Sequence, residues 1–285
     1  MALYITLPLL LFLLFTPGAL SASFTIINKC SYPVWPGILS NAGTPQLSTT
    51  GFTLQSGESN TLSVPVSWSG RLWGRTRCTS DPTGKFTCQT GDCGSATLEC
   101  AGGGAAPPAT LAEFTLNGAD GLDFYDVSLV DGYNLPMLLV PQGGTGGNCT
   151  TTGCVVDLNE SCPSELKVMG SDGSVACKSA CEAFGDPQYC CSGEYGTPGT
   201  CKPSSYSEFF KTACPRAYSY AYDDGSSTFT CAAADYVITF CPAPSTSQKS
   251  SNGQYPEAVD TSGGSKSSFI AFAITTTVMA FCHLF

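Results

Sequence analysis

Three carboxylates stand in runs of sequence that otherwise favour β-strands. Glu113 sits in Leu-Ala-Glu-Phe, and Asp126 and Asp131 sit in Phe-Tyr-Asp-Val-Ser-Leu-Val-Asp-Gly-Tyr. β-Propensity disfavours acids in such runs, so carboxylates kept there need a reason. Sugars supply one. A carboxylate accepts hydrogen bonds from hydroxyl groups, while aromatic surface, here Phe124, Tyr125 and Tyr133, covers the apolar side of a pyranose ring. Two carboxyl groups at a defined separation are also the residue type for glycosidic hydrolysis. That chemistry requires one of the pair to keep its proton near neutral pH while the other is ionised. Clustering raises one pKa by like-charge repulsion, with Glu113 the expected acid and an aspartate the expected base.

Charge is distributed unevenly around these residues. Between Phe86 and Leu166 there are ten acidic residues and no basic one, and the formal net charge of the whole chain is −10. Such a surface repels nucleic acid, whose binding depends on basic contacts. Much of the excess serves only as a solvated face.

What the chain lacks narrows the chemistry further. Its one histidine is His283, close to the C-terminus. A Ser-His-Asp triad, a Cys-His pair and a histidine-ligated zinc are therefore excluded from the main body. The glycine-rich stretches 102–104 and 143–147 match neither a phosphate loop nor a dinucleotide fingerprint. No cofactor and no metal are expected.

Seventeen cysteines decide the redox setting, sixteen of them between Cys30 and Cys241 and the last at Cys282. No C-x-x-C pair is present, so an even thiol count in an exported chain points to a full disulfide framework. Sixteen cysteines allow about two million pairings, and composition does not choose among them. Adjacent Cys190 and Cys191 should each pair elsewhere. Eight of the sixteen fall between Cys149 and Cys201, marking a loop-rich part held by staples.

The elements that must position the carboxylates read as short strands: Phe24–Ile27, Thr61–Val66, Leu111–Leu116, Phe124–Val130 and Tyr236–Phe240. Gly-, Pro-, Asn- and Ser-rich breaks separate them, which predicts a sandwich or barrel. A helix is expected over Val175–Phe184, with Cys177 and Cys181 one turn apart on one face. Only 12% of residues are charged and 42% are hydrophobic, enough apolar material for one sizeable core.

Both ends carry targeting signals. Leu7–Phe15 is apolar and is followed by Pro17-Gly18 and small residues, predicting a signal peptide over 1–21 that leaves Ala22 as the first mature residue. A Pro-, Ser- and Gly-rich linker is expected over 243–262. The uncharged tail within 263–285 then fits a lipid-anchor signal with attachment at Ser262, or failing that a transmembrane tail. The predicted location is the outer face of the plasma membrane or the apoplast. Sequons at Asn148 and Asn159 are expected to accept glycans, Asn148 less readily because Cys149 must also form a disulfide.

Several segments together resemble plant thaumatin-like proteins: Asn28-Lys29-Cys30-Ser31-Tyr32-Pro33-Val34-Trp35, Gly70-Arg71-Leu72-Trp73-Gly74-Arg75-Thr76, Pro108-Ala109-Thr110-Leu111-Ala112-Glu113-Phe114, Asp123 to Gly132, Gln188-Tyr189-Cys190-Cys191, Tyr206 to Lys211 and Tyr236 to Pro242. The resemblance spans nearly all of Phe24–Pro242. It implies a mainly β fold, a sandwich over 22–242 with a disulfide-rich lobe at 149–214 and a small hairpin lobe at 78–100. It also implies the pairs Cys30–Cys241, Cys78–Cys88, Cys93–Cys100, Cys149–Cys231, Cys154–Cys214, Cys162–Cys177, Cys181–Cys190 and Cys191–Cys201. Finally, it implies an acidic cleft formed by Arg71 (with Arg75 as rival), Glu113, Asp126, Asp131 and Asp223, with Asp224 adjacent. The implied function is defence, through binding of fungal β-1,3-glucan by a monomer. The alternatives are weak hydrolysis of that glucan and a non-catalytic surface or developmental role.

Overall fold

The computed structural model describes residues 21–243, in which thirteen strands and four short α-helices follow one another. The strands are β1 (Ser21–Asn28), β2 (Trp35–Ser40), β3 (Ser59–Pro65), β4 (Ser69–Ser80), β5 (Phe86–Thr90), β6 (Leu111–Thr115), β7 (Asp123–Ser128), β8 (Met137–Gln142), β9 (Thr152–Cys154), β10 (Lys167–Gly170), β11 (Gly173–Cys177), β12 (Phe229–Cys231) and β13 (Asp235–Phe240). The helices are α1 (Ala180–Phe184), α2 (Pro187–Cys190), α3 (Ser205–Ala213) and α4 (Asp224–Ser227). The expected signal peptide, apart from Ser21, lies outside the described residues. So do the linker beyond Ala243 and the tail signal with Ser262.

One sheet runs β3-β1-β13-β8-β9. The other runs β12-β7-β6-β4-β2, with β5 paired to the far end of β4. Strand periodicity explains how they close on each other. In β1, Phe24 and Ile26 are fully buried while the residues between them are not. In β6 and β7, Ala112, Phe114, Tyr125 and Val127 point inward. Aromatic rings from the two layers meet in the middle: Phe24–Phe114 at 4.4 Å between centroids, Phe114–Tyr236 at 5.2 Å and Tyr125–Tyr236 at 5.2 Å. This mainly β architecture matches the expected class.

All eight cysteine pairs named above are formed, with Cys190 and Cys191 joined to Cys181 and Cys201. Four of them lie within 149–214, around the two-stranded sheet β10–β11 and helices α1 to α3. There the expected helix over Val175–Phe184 is corrected. Gly173–Cys177 is a strand, and the helix begins only at Ala180, capped by Ser179 accepting from the Glu182 N–H. Cys177 ends β11 and bonds to Cys162, whereas Cys181 lies on α1, so the two do not share a helix face.

Candidate functional site

The inward-outward alternation that builds the core puts a row of charges on the outer face of the β4-β6-β7 sheet. Arg71 on β4 stands opposite Glu113 on β6, and Glu113 stands opposite Asp126 on β7. Directly opposed residues have Cβ atoms about 4.5–5.5 Å apart, so the three side chains are immediate neighbours. Asp131 joins them from a turn in which the Gly132 N–H donates to the Leu129 carbonyl at 3.0 Å. Gly132 has φ +82°, and an added Cβ would lie 2.6 Å from the Cys177 carbonyl, so only glycine allows this turn.

These groups line an open cleft of ≈ 350 Å³ together with Leu111, Ser128, Val130, Tyr218, Ala221 and Asp224. The cation is loosely engaged: Arg71 Nε lies 3.8 Å from Glu113 Oε1 and makes no hydrogen bond. Asp126 is the more isolated acid, since its Oδ2 is buried and has no hydrogen-bond partner. Burial pushes its carboxyl well above the usual range, and the negative charges of Glu113 and Asp224 push the same way. Burial also raises Glu113; Arg71 opposes that rise and Asp131 adds to it. The sequence-based assignment of Glu113 as the acid is therefore revised. Asp126, deeper and farther from the cation, is the group that keeps a proton to higher pH.

Two further assignments change, and the open choice between Arg71 and Arg75 narrows. Asp223 does not line the cleft. Its Oδ2 accepts from Lys211 Nζ at 2.7 Å and from the Ser219 N–H at 3.1 Å, which turns the carboxylate into the protein. Its neighbour Asp224 takes the cleft position and accepts from the Tyr218 hydroxyl at 2.8 Å. Arg75, the rival to Arg71, is fully buried. It donates to the carbonyls of Trp35, Pro36 and Leu98, and desolvation lowers its pKa to about 10, so it stays cationic at neutral pH. Tyr125 and Tyr133 are core residues and offer no face to a ligand, whereas Phe124 shares the outward side of β7 but lies off the cleft lining. The aromatic wall is Tyr218 instead, whose hydroxyl also meets Thr228. Its sequence signal was the run Tyr218-Ser-Tyr-Ala-Tyr-Asp-Asp, in which aromatics at alternate positions lead into paired acids.

Among the described residues, no group of three or more His, Cys, Asp or Glu side chains is arranged to hold a metal ion. Fold and cleft together define a class: a disulfide-stapled two-sheet β protein with an acidic groove across the outer face of one sheet. The chain belongs to the thaumatin family, whose family model matches residues 28–242. It is 62% identical over 232 residues to Thaumatin-like protein 1 of Arabidopsis thaliana, covering 79% of this chain and 88% of that one. It is 56% identical to a Prunus avium protein named glucan endo-1,3-beta-glucosidase, covering 84% of this chain and 98% of the relative. A similar solved structure is a family 64 laminaripentaose-producing β-1,3-glucanase of Paenibacillus barengoltzii complexed with laminarihexaose. At 13% identity and a TM-score of 0.51, over 79% of this chain and 76% of that one, the likeness is one of fold.

Proposed function

We propose that this chain is an exported defence protein that binds β-1,3-glucan of fungal cell walls in the cleft, with turnover at most a slow by-product. The observation that carries the proposal is the row Arg71, Glu113 and Asp126, joined by Asp131 and Asp224 around one open groove. Ionised carboxylates accept sugar hydroxyls, protonated ones also donate, and Tyr218 offers ring surface. The Prunus avium relative's name supports the choice of glucan. Eight disulfides agree with export into an oxidising compartment. A membrane anchor at Ser262 and a monomeric state remain parts of the same proposal. Among the described residues no helix is long and apolar enough to cross a bilayer.

The second reading, weak hydrolysis, is favoured by one specific feature: a proton-holding Asp126 directly across the strand pair from Glu113. Titration of linear β-1,3-glucan against the domain, with reducing-sugar release measured in parallel and a chitin oligomer as control, tests both. Binding without release that is lost in Asp131→Asn supports the proposal. Release that is abolished in Glu113→Gln or Asp126→Asn while affinity is kept makes the protein an enzyme. Absence of glucan binding, with no sugar released, would leave the surface or developmental role.

A further inference from the structure

The disulfide-rich lobe carries a second cluster of rings outside the cleft, of which Tyr206 also packs against the core. Phe184 at the end of α1, Tyr189 on α2 and Tyr206 on α3 meet pairwise, with centroids 5.7, 5.3 and 5.9 Å apart. Phe184 is 41% exposed, and both tyrosines are partly exposed. Ring contacts of this kind normally fill interiors, and a clustered exposed apolar patch marks a contact site more often than a lone one does. Polar groups rim the patch: the Tyr206 hydroxyl donates to Glu165 Oε1 at 3.0 Å, and Ser164 donates to the other oxygen of that carboxylate at 3.0 Å. Ring faces beside hydroxyls and a carboxylate are the mixture that a pyranose presents a complement to, with C–H surface on one side and hydroxyls around the edge.

Position identifies the occupant. Tyr189 also lines a small hollow that extends past Tyr220 to Val130, and Val130 lines the acidic cleft as well. Val130 thus borders both, and a polysaccharide chain leaving the cleft on that side heads toward Tyr189 and the rest of the cluster. We infer that Phe184, Tyr189 and Tyr206 form a distal subsite for a long β-glucan chain whose other part lies in the cleft. The inference rests on the glucan-binding proposal and adds to it a preference for polymer over short oligomer, because one chain held at two linked sites binds more tightly than at either.

The experiment compares a short linear β-1,3-glucan oligomer, which fills only the cleft, with a long soluble one. Both are titrated against the unaltered domain and against Phe184→Leu, Tyr189→Ala and Glu113→Gln, with near-ultraviolet circular dichroism as the check on folding. Phe184→Leu keeps apolar volume while removing the ring, which guards the test against a variant that simply misfolds. For Phe184→Leu and Tyr189→Ala the expected result is unchanged affinity for the short oligomer and a loss of about tenfold for the long one, the scale of removing one aromatic anchor from an interface. Equal affinities of Phe184→Leu, Tyr189→Ala and the unaltered domain for the long glucan overturn the subsite while leaving the cleft in place. Binding of the long glucan alone, lost in Phe184→Leu and kept in Glu113→Gln, overturns the cleft and keeps the ring cluster as the binding site. Binding of neither oligomer overturns both.

Discussion

Asp126 concentrates the unusual energetics of the site in one side chain. Its buried Oδ2 has no partner, and its proton is held by burial and by two neighbouring acids. The native state therefore binds this proton more tightly than the unfolded chain, and unfolding releases it. Stability consequently falls as pH rises from the ordinary aspartate value of 3.8 through the raised native one. Glu113 acts in the same direction, starting from 4.5. Asp126→Asn is expected to raise the melting temperature near pH 7 by about 2–4 °C and to do little near pH 4, as calorimetry across that range will check. A constant difference at every pH contradicts this account. Asp223 shows the opposite solution, a carboxylate only 11% exposed beside a lysine only 21% exposed. Lys211→Met leaves that acid without its cation and should cost about 3 kcal/mol in urea unfolding, most of it recovered by adding Asp223→Asn.

Elements explain which of these features could be read from the sequence. The strands around Phe24, Phe114 and Tyr236 were visible because apolar residues recur at every second position. The same period already forbids Tyr125 from sharing a face with Asp126. Helix α1 was drawn too early because Val175 to Cys177 is apolar at a spacing that either element accepts, and only the pairing of β10 with β11 decides it. Arg71 and Arg75 lie on the same side of β4 by parity. They are separated by what covers the strand: carbonyls from 35, 36 and 98 capture Arg75, while Arg71 faces the groove. Asp223 and Asp224 are chemically identical neighbours, and the choice between them is made by Lys211, twelve residues earlier on α3. Loops also bear on the order of the two sequons. Asn159 donates its amide nitrogen to the Asn134 carbonyl at 3.0 Å, whereas exposed Asn148 uses its amide oxygen to accept from the Thr230 N–H at 2.8 Å. Since a glycan is attached at the amide nitrogen, glycopeptide mass spectrometry of protein from a secretory host should find Asn148 occupied and Asn159 largely bare.

At the scale of the whole molecule, stability is carried by covalent closure as well as by the core. Cys30–Cys241 spans 211 residues and Cys181–Cys190 only nine. Loop-closure entropy assigns about 5 kcal/mol to the first and about 3 kcal/mol to the second. Replacing each pair by serines and measuring denaturant midpoints should reproduce that order, and equal losses would refute an entropic origin. β1 and β13 are adjacent interior strands of one sheet, and their parallel pairing brings Cys30 and Cys241, which follow them, to the same end of that sheet. A covalent ring results. A protease that nicks one peptide bond anywhere between Cys30 and Cys241 therefore produces no separate fragment. The nicked molecule keeps its full mass on a non-reducing gel and separates only after a thiol is added. A single cut by a protease therefore leaves both banks of the acidic groove on the same molecule.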